Sequence, residues 1–217
     1  MFAFLPPRPP LPSDIAEKLR PLATARSRIL PVSTVWKERL PDGGLRRGST
    51  IVVTAPPAGG GLSLAMSLVS GASDRGYWVS VVGVDDPGVM AMSDLGVDLR
   101  RVMFVPRPRD EWVDVVGDML DGVDLVVLRP MGRPSPDMTR RIMGRVRERG
   151  AVLVVLCDEP RRWPLPGDVH IDLVDGRWEM EHHLTQRHAV VRLSGRGDAR
   201  REREWSWGLP LASGQAG

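Results

Sequence analysis

The central part of the chain alternates between continuous apolar runs and stretches in which apolar residues recur every three or four positions. Continuous apolar runs predict strands that are buried on both faces, and the other pattern predicts helices that cover them. The predicted strands are 49–54, 78–83, 102–105, 124–129 and 151–157. The predicted helices are 61–75, 88–95, 109–121 and 136–149. This order predicts an α/β fold with a mainly parallel central sheet and helices on both faces.

The rhythm changes after residue 165. Three short strands are predicted there, joined by tight turns such as Val174–Arg177, over residues 168–174, 177–184 and 187–194. Consecutive strands with tight turns predict an antiparallel extension at the C-terminal side of the sheet.

The two ends of the chain differ in character from this core. Residues 1–12 are rich in proline, and Ser13 begins a helical pattern that runs to Arg26. From Gly195 onward the chain is polar and rich in arginine. We therefore expect an arm, a helix and an irregular lead-in (residues 30–45) over 1–46, the α/β core over 47–194 and a flexible tail over 195–217.

A glycine-rich turn follows the first predicted strand, where nucleotide-binding α/β proteins carry a phosphate-binding loop. The turn comprises Ala55, Gly59, Gly60, Gly61, Leu62 and Ser63 among its residues. A working loop reads G-x-x-x-x-G-K-[ST], in which the Lys neutralises phosphate and the hydroxyl binds Mg²⁺. Here Ala55 takes the first Gly position, Gly61 the Lys position and Leu62 the Ser/Thr position. The loop keeps the residues for a sharp turn and lacks those that bind a nucleotide.

The fourth predicted strand shows a second loss. In nucleotide-binding proteins such a strand ends in an Asp that orients Mg²⁺, whereas Arg129 follows Leu128 here. Each lost charge-assisted contact weakens binding by about 1.5–3 kcal/mol, which is about tenfold or more. We therefore expect no ATPase activity, no bound cofactor and no enzymatic function. Two alternatives stay open: Arg129 could replace the missing Lys, and Ser63 could still meet a phosphate.

The remaining chemical residues carry weaker signals. His170, His182, His183 and His188 fall on predicted antiparallel strands without a Cys at ligand spacing, so no metal site is predicted. Cys157 ends an apolar run and is expected to be a buried, unreactive thiol. Asp85 and Asp86 close the second strand, where a solvated loop or a helix cap is the favoured interpretation.

Two segments are candidates for contact with a partner. In the loop 159–167, Arg161, Arg162 and Trp163 combine positive charge with a ring that could stack on a nucleic-acid base. The alternative is a rigid, proline-rich loop whose Trp packs on its own domain. In the tail, partner docking is suggested by Arg200, Arg201, Arg203, Trp205, Trp207 and Leu209, because Trp is enriched at the centres of interfaces. The alternative is a solvated, flexible end.

Composition adds little to this picture. All but two of the 30 basic residues are arginine, and the formal net charge is +3. This arginine bias is better explained by a GC-rich genome than by 28 separate recognition sites. No apolar stretch is long enough to span a membrane, and the N-terminus lacks the pattern of a signal peptide, so we expect a cytoplasmic protein.

Four segments in a shared order resemble the RecA core. The segment Leu40–Val53 is similar to the lead-in of that family, and Leu95–Leu99 to its LGVD segment. Val123–Leu128 and His170–Leu173 are similar to two of its later strands. The resemblance covers about residues 28–194 and implies a degenerate RecA-like fold. The catalytic Glu expected after the second strand is missing, and the segments matching the family's two DNA-binding loops are shorter.

A small, degenerate, arginine-rich chain of this kind resembles the ImuA and ImuA-prime proteins of actinobacteria. The resemblance implies a non-catalytic adaptor of the damage-inducible mutasome, which supports error-prone translesion DNA synthesis. The implied partners are an ImuB-like inactive polymerase homologue and an error-prone C-family DNA polymerase, together with RecA and weak contact with DNA. Two other functions remain open: an ATP-dependent recombination factor with a rebuilt nucleotide site, and a cell-division inhibitor similar to SulA.

Overall fold

The computed structural model describes residues 28–57, 60–160, 162–181, 183–196 and 202–210. The predicted arm and the predicted helix over 13–26 lie outside these residues. The helices are α1 (Thr34–Lys37), α2 (Gly61–Asp74), α3 (Val89–Asp94), α4 (Trp112–Gly122) and α5 (Pro136–Arg149). The strands are β1 (Ile29–Leu30), β2 (Leu45–Arg46), β3 (Thr50–Thr54), β4 (Val79–Val82), β5 (Val102–Val105), β6 (Leu125–Leu128), β7 (Val152–Cys157), β8 (Val169–Glu181), β9 (His183–Gly195) and β10 (Arg203–Pro210).

Eight of these strands form one sheet in the order β10-β9-β8-β3-β7-β6-β4-β5. The pairs from β8 to β5 are parallel, and the pairs β8–β9 and β9–β10 are antiparallel. The predicted fold class is therefore confirmed: an α/β fold with a mainly parallel central sheet and an antiparallel C-terminal extension. β3 lies in the middle of this sheet, so the loop that follows it opens at the centre of the sheet's carboxyl edge.

Apolar side chains cover both faces of the sheet. On one face, Val53 and its neighbours pack under α2 and around Trp36 of α1. On the other, Val52 belongs to a second cluster with residues of α4 and α5. Successive side chains of a strand point to opposite faces of the sheet. A strand in a sheet that is covered by helices on both faces must therefore be apolar throughout. This explains why the strand bounds follow the apolar runs closely.

The antiparallel extension differs from the prediction of three short strands. β8 runs without a turn from Val169 to Glu181 and pairs with β9 along its length. The tight turn predicted at Val174–Arg177 is wrong. The register shifts between Leu173 and Asp175, so Val174 forms a bulge within the strand. A bulge absorbs an extra residue, and a glycine inside a strand is as typical of a bulge as of a turn.

The predicted flexible tail is also wrong over part of its length. Residues 203–210 form β10, which pairs with β9 at the edge of the sheet. Its two Trp side chains lie on the face that carries Trp36, and Trp207 is only 9% exposed. Burial of this large apolar surface fixes the strand in place.

Candidate functional site

The predicted nucleotide loop borders a cavity at the carboxyl edge of the sheet. The cavity lies between the loops that follow β3, β6 and β7, and its volume is about 210 Å³. It is lined by Ala55, Pro56, Pro57, Gly60, Gly61, Leu62, Arg129, Pro130, Leu156, Cys157, Asp158 and Arg162. Known small-molecule sites have volumes of about 300–1,000 Å³, so this cavity is below their usual range.

The backbone makes the strand-to-helix turn that the glycines predicted. The N–H of Ala55 donates to the carbonyl of Cys157 at 3.0 Å, which extends the β3–β7 pairing by one residue. Gly60 then takes a left-handed conformation with φ of 85°, and its carbonyl accepts from the N–H of Leu64 at 2.9 Å. Glycine adopts this conformation without strain, so α2 can begin directly at Gly61. Gly59 lies outside the described residues.

The side chains of the turn do not support nucleotide binding. A Cβ atom at position 61 would lie 2.9 Å from the Cβ of Ala55, which is too close for unstrained packing. The position that carries Lys in a working loop is thus too crowded here for any side chain unless the turn shifts. Leu62 lines the cavity with apolar atoms, whereas Ser63 borders a separate hollow beside Asp86 and Met92.

Arg129 is exposed at the mouth of the cavity. Its backbone is fixed, because its N–H donates to the carbonyl of Val82 at 2.9 Å. Within the described part of the chain, its guanidinium has neither an ion pair nor a hydrogen bond. The place of the Mg²⁺-orienting Asp is therefore occupied by an uncompensated positive charge, which repels a divalent cation.

Other arginines at this edge are neutralised by nearby acids. Arg162 contacts Asp158 at 2.8 Å, and Arg107 contacts Asp85 at 2.9 Å. Asp86 accepts from the N–H of Gly88 at 3.2 Å and so closes a turn. These contacts leave little positive potential to attract a polyphosphate. The arrangement offers a small anion the guanidinium of Arg129, and among the described residues no Lys, hydroxyl or acid occupies the positions that bind Mg·ATP in a working loop.

Cys157 is the buried thiol that the sequence predicted. It lines the cavity wall, is 5% exposed, and burial raises its pKa to about 11. A thiol with so high a pKa is almost fully protonated at neutral pH, and only the thiolate is a good nucleophile. The side chain therefore packs in the core, and its burial makes the thiol a poor nucleophile at neutral pH.

The loop after β7 does not present an aromatic platform. Trp163 is 4% exposed and packs in the second core cluster, so the interpretation of its ring as a stacking surface is wrong. The alternative, a Trp packed on its own domain, holds because the apolar loop gains more from burying the ring than from exposing it. Arg162 forms an ion pair with Asp158, and Arg161 lies outside the described residues.

The aromatic residues of the predicted tail contact their own domain. The ring of Trp36 makes edge contacts with Trp205 at 5.8 Å and with Trp207 at 5.9 Å between centroids. The guanidinium of Arg39 lies over Trp205, and Arg203 donates to the carbonyl of Arg39 at 3.0 Å. Sequence reasoning missed Trp36, which lies in the irregular lead-in where no periodic pattern marked it. Arg200, Arg201 and the side chain of Leu209 lie outside the description.

The described residues give no indication of a metal site or of a membrane-spanning helix. His170 Nε2 accepts a hydrogen bond from the N–H of Gly167 at 3.1 Å, so this nitrogen is already bonded to the backbone. Among the residues that the structure describes, no three His, Cys, Asp or Glu side chains form a group suited to a metal ion. None of the helices in that same part of the chain is long and apolar enough to cross a bilayer.

Comparison with known proteins places the chain in a family. The uncharacterized protein Rv3395c of Mycobacterium tuberculosis is 32% identical over an alignment of 127 residues that covers 54% of this chain and 62% of that relative. The chain thus matches less than two thirds of the relative's length. A family model described as MT3502 N-terminal domain matches residues 38–164, which is more than half of the chain. The segment includes β3, the degenerate loop, Arg129 and the loop up to Trp163, so the chain belongs to the MT3502 N-terminal domain family.

Proposed function

We propose that this protein is a non-catalytic RecA-like adaptor that supports error-prone translesion DNA synthesis in the damage-inducible mutasome. It acts by binding an ImuB-like inactive polymerase homologue. Through that partner, or directly, it reaches an error-prone C-family DNA polymerase, and contacts with RecA and DNA are secondary. The protein functions in the cytoplasm, and its folded core is the rigid platform for docking.

The observation that carries the proposal is the chemistry at the carboxyl edge of β3 and β6. The chain passes from β3 to α2 at the place of a phosphate-binding loop, yet a side chain at position 61 would crowd Ala55 unless the turn shifts, and Arg129 replaces the acid. An inherited fold without its catalytic groups is typical of a protein that works by binding. The similarity to the uncharacterized protein Rv3395c of Mycobacterium tuberculosis is consistent with the actinobacterial branch of the ImuA family.

Calorimetry with Mg·ATP tests the non-catalytic part of this proposal. We expect no heat of binding for the full chain, because the Lys, the hydroxyl and the acid are all missing. Submicromolar binding would contradict the proposal and support the recombination-factor alternative. In that case Arg129→Ala is the decisive variant: if Arg129 replaces the missing Lys, this change abolishes the binding, whereas Arg133→Ala on an ion-paired neighbour leaves it unchanged.

Affinity purification from cells with damaged DNA tests the adaptor part. We expect the tagged full chain to retain an ImuB-like protein and a C-family polymerase, with less of both from undamaged cells. Retention of the cell-division GTPase instead would support the SulA-like alternative. Direct binding of the purified ImuB-like protein to the purified chain then distinguishes a true partner from a bystander in the complex.

A further inference from the structure

The two edge strands of the sheet differ in chemistry. β10 at one edge carries Arg203 and Glu204, and charged side chains commonly protect an edge from pairing with another strand. β5 at the other edge reads Val-Met-Phe-Val and has no charge. Met103 and Phe104 are each 37% exposed there. β5 is therefore an apolar edge without the protection that β10 has.

The backbone of Phe104 faces away from the sheet. The carbonyl of Val105 accepts from the N–H of Gly83 at 2.9 Å, so Val105 directs its peptide groups toward β4. Successive residues of a strand direct their peptide groups to opposite sides, so the N–H and C=O of Phe104 point to the free edge. The next N–H on that side, from Val102, is already bonded to the carbonyl of Leu99. Pro106 has no N–H at all.

This pattern selects one register for a second strand. In an antiparallel pair, two directly opposed residues can exchange both of their backbone hydrogen bonds. Among the residues that the structure describes, Phe104 is the one at this edge with both groups available, so two copies of β5 pair best with Phe104 opposite Phe104. The exposed Met103 of each copy then lies directly opposite Val105 of the other, on the same face of the sheet.

The charges around β5 favour the same arrangement. Its amino end carries two cations, Arg100 and Arg101, and one acid, Asp98, so its net charge is positive. Its carboxyl end carries the two cations Arg107 and Arg109 and a larger number of acids, so its net charge is negative. These acids are Asp85, Asp86, Asp110 and Glu111. When two identical strands run antiparallel, the amino end of each meets the carboxyl end of the other. Opposite charges therefore meet twice, once at each end of the interface.

From these observations we propose that β5 is the interface of a two-fold symmetric dimer of this chain. The two sheets join edge to edge through β5, with Phe104 on the symmetry axis, and form one sheet continuous across both copies. An isologous contact of this kind closes on itself and does not grow into a filament. The inference goes beyond the adaptor function and does not depend on it.

Sedimentation of the full chain over a series of concentrations tests the interface. We expect a reversible monomer–dimer equilibrium for the wild type. Phe104→Lys should raise the dimer dissociation constant at least about tenfold, because two like charges then meet on the axis. Phe104→Pro should do the same, because it removes the outward N–H while the contacts with β4 remain. The matched control Met138→Lys replaces a 45% exposed residue of α5 and should leave the equilibrium unchanged.

Charge exchange between copies provides a second readout. Arg100→Glu and Glu111→Arg should each weaken self-association, because the first makes the amino end negative like the carboxyl end and the second removes the excess of acids at the carboxyl end. A mixture of the two variants should associate more tightly than the Arg100→Glu or the Glu111→Arg variant alone, since one end of the heterodimer keeps opposite charges and the other end is free of like-charge repulsion. Matching thermal unfolding of all variants excludes misfolding as the cause. A monomeric wild type at every concentration, a dimer unaffected by both Phe104 variants, or a mixture that associates no better than its components would overturn the proposal.

Discussion

Two glycines on the long helices show how local space decides the effect of one methyl group. A Cβ atom on Gly71 of α2 would lie 2.3 Å from the carbonyl carbon of Val32, so the helix touches the backbone of the lead-in. A Cβ atom on Gly144 of α5 would meet nothing within 4 Å. The two residues have the same helical conformation and differ in what lies beside them.

Alanine substitution should therefore have opposite effects at the two positions. Gly71→Ala should lower the free energy of unfolding by about 1–3 kcal/mol, because overpacking forces the helix off the lead-in. Gly144→Ala should raise it by about 0.5–1 kcal/mol, because alanine loses less backbone entropy in a helix. Urea unfolding of both variants measures the difference. Equal effects of the same sign would show that α2 is not held against the lead-in.

Cys157 gives a second prediction for a single residue. Burial raises its pKa from 9.0 to about 11, so the folded state favours the neutral thiol more than the unfolded state does. The associated stability is complete below pH 9 and is lost as the pH rises toward 11. Cys157→Ala should remove this part of the alkaline loss of stability. In the native wild type, a thiol reagent at pH 8 should react much more slowly than in urea, and fast native labelling would contradict the burial.

The aromatic cluster of Trp36, Trp205 and Trp207 ties together elements from opposite ends of the chain. Trp36 of α1 is 1% exposed, and its indole N–H donates to Oγ of Ser67 in α2 at 2.9 Å. The same ring contacts both Trp residues of β10. Through this one side chain, the lead-in, the helix after the degenerate loop and the last strand become a single packed unit.

Removing one ring from the cluster tests whether β10 belongs to the folded core. Trp207→Ala should lower the free energy of unfolding by about 3 kcal/mol or more, because it leaves a large cavity beside Trp36. Trp205→Ala should lower the free energy of unfolding by a smaller amount, since Trp205 is only partly buried. Hydrogen exchange of the β10 amides should accelerate in both variants. A Trp207→Ala protein as stable as the wild type would show that β10 does not stabilise the core.

Sequence patterns predicted the elements whose contacts are local or repeated and missed those that depend on distant residues. The bounds of α5 agree with the prediction because Ser135 caps its start, where its Oγ accepts from the N–H of Met138, and Gly150 ends it. The bulge at Val174 and the strand over 203–210 were missed, because pairing with β9 and packing on Trp36 override their local polarity. At the site, the loop was found from its spacing. Packing of Trp163 on its own domain was one of two interpretations, and the sequence could not decide between them because the contacts of this ring come from residues distant along the chain.

At the scale of the whole molecule, the family match ends inside one folded unit. It stops at residue 164, whereas β8 begins at Val169 and pairs with β3 in the middle of the sheet. The strands beyond the match contribute to the main core cluster through Ile171, Leu173, Ala189, Val191, Leu193 and Trp207. The matched segment therefore lacks one neighbour of its central strand and one side of its core.

Truncation should reveal this dependence. A chain that ends after residue 164 should aggregate or lack a cooperative thermal transition, because β3 becomes an exposed apolar edge. A chain that ends after residue 196 keeps β8 and β9 and should fold with reduced stability. Circular dichroism during heating compares both with the full chain. A cooperative transition in the shorter product would show that the family segment folds by itself.

The central place of β3 also has a consequence for synthesis on the ribosome. Thr50 pairs with Leu153, and Ile51 pairs with Val169, so both partners of this strand are translated about a hundred residues after it. At about 5–20 residues per second, the apolar strand waits roughly 5–20 s in the nascent chain before either partner emerges. Contacts between such distant residues also slow folding after release. Translation that pauses between α2 and β7 should therefore increase the capture of nascent chains by chaperones, whereas a pause after β9 should not.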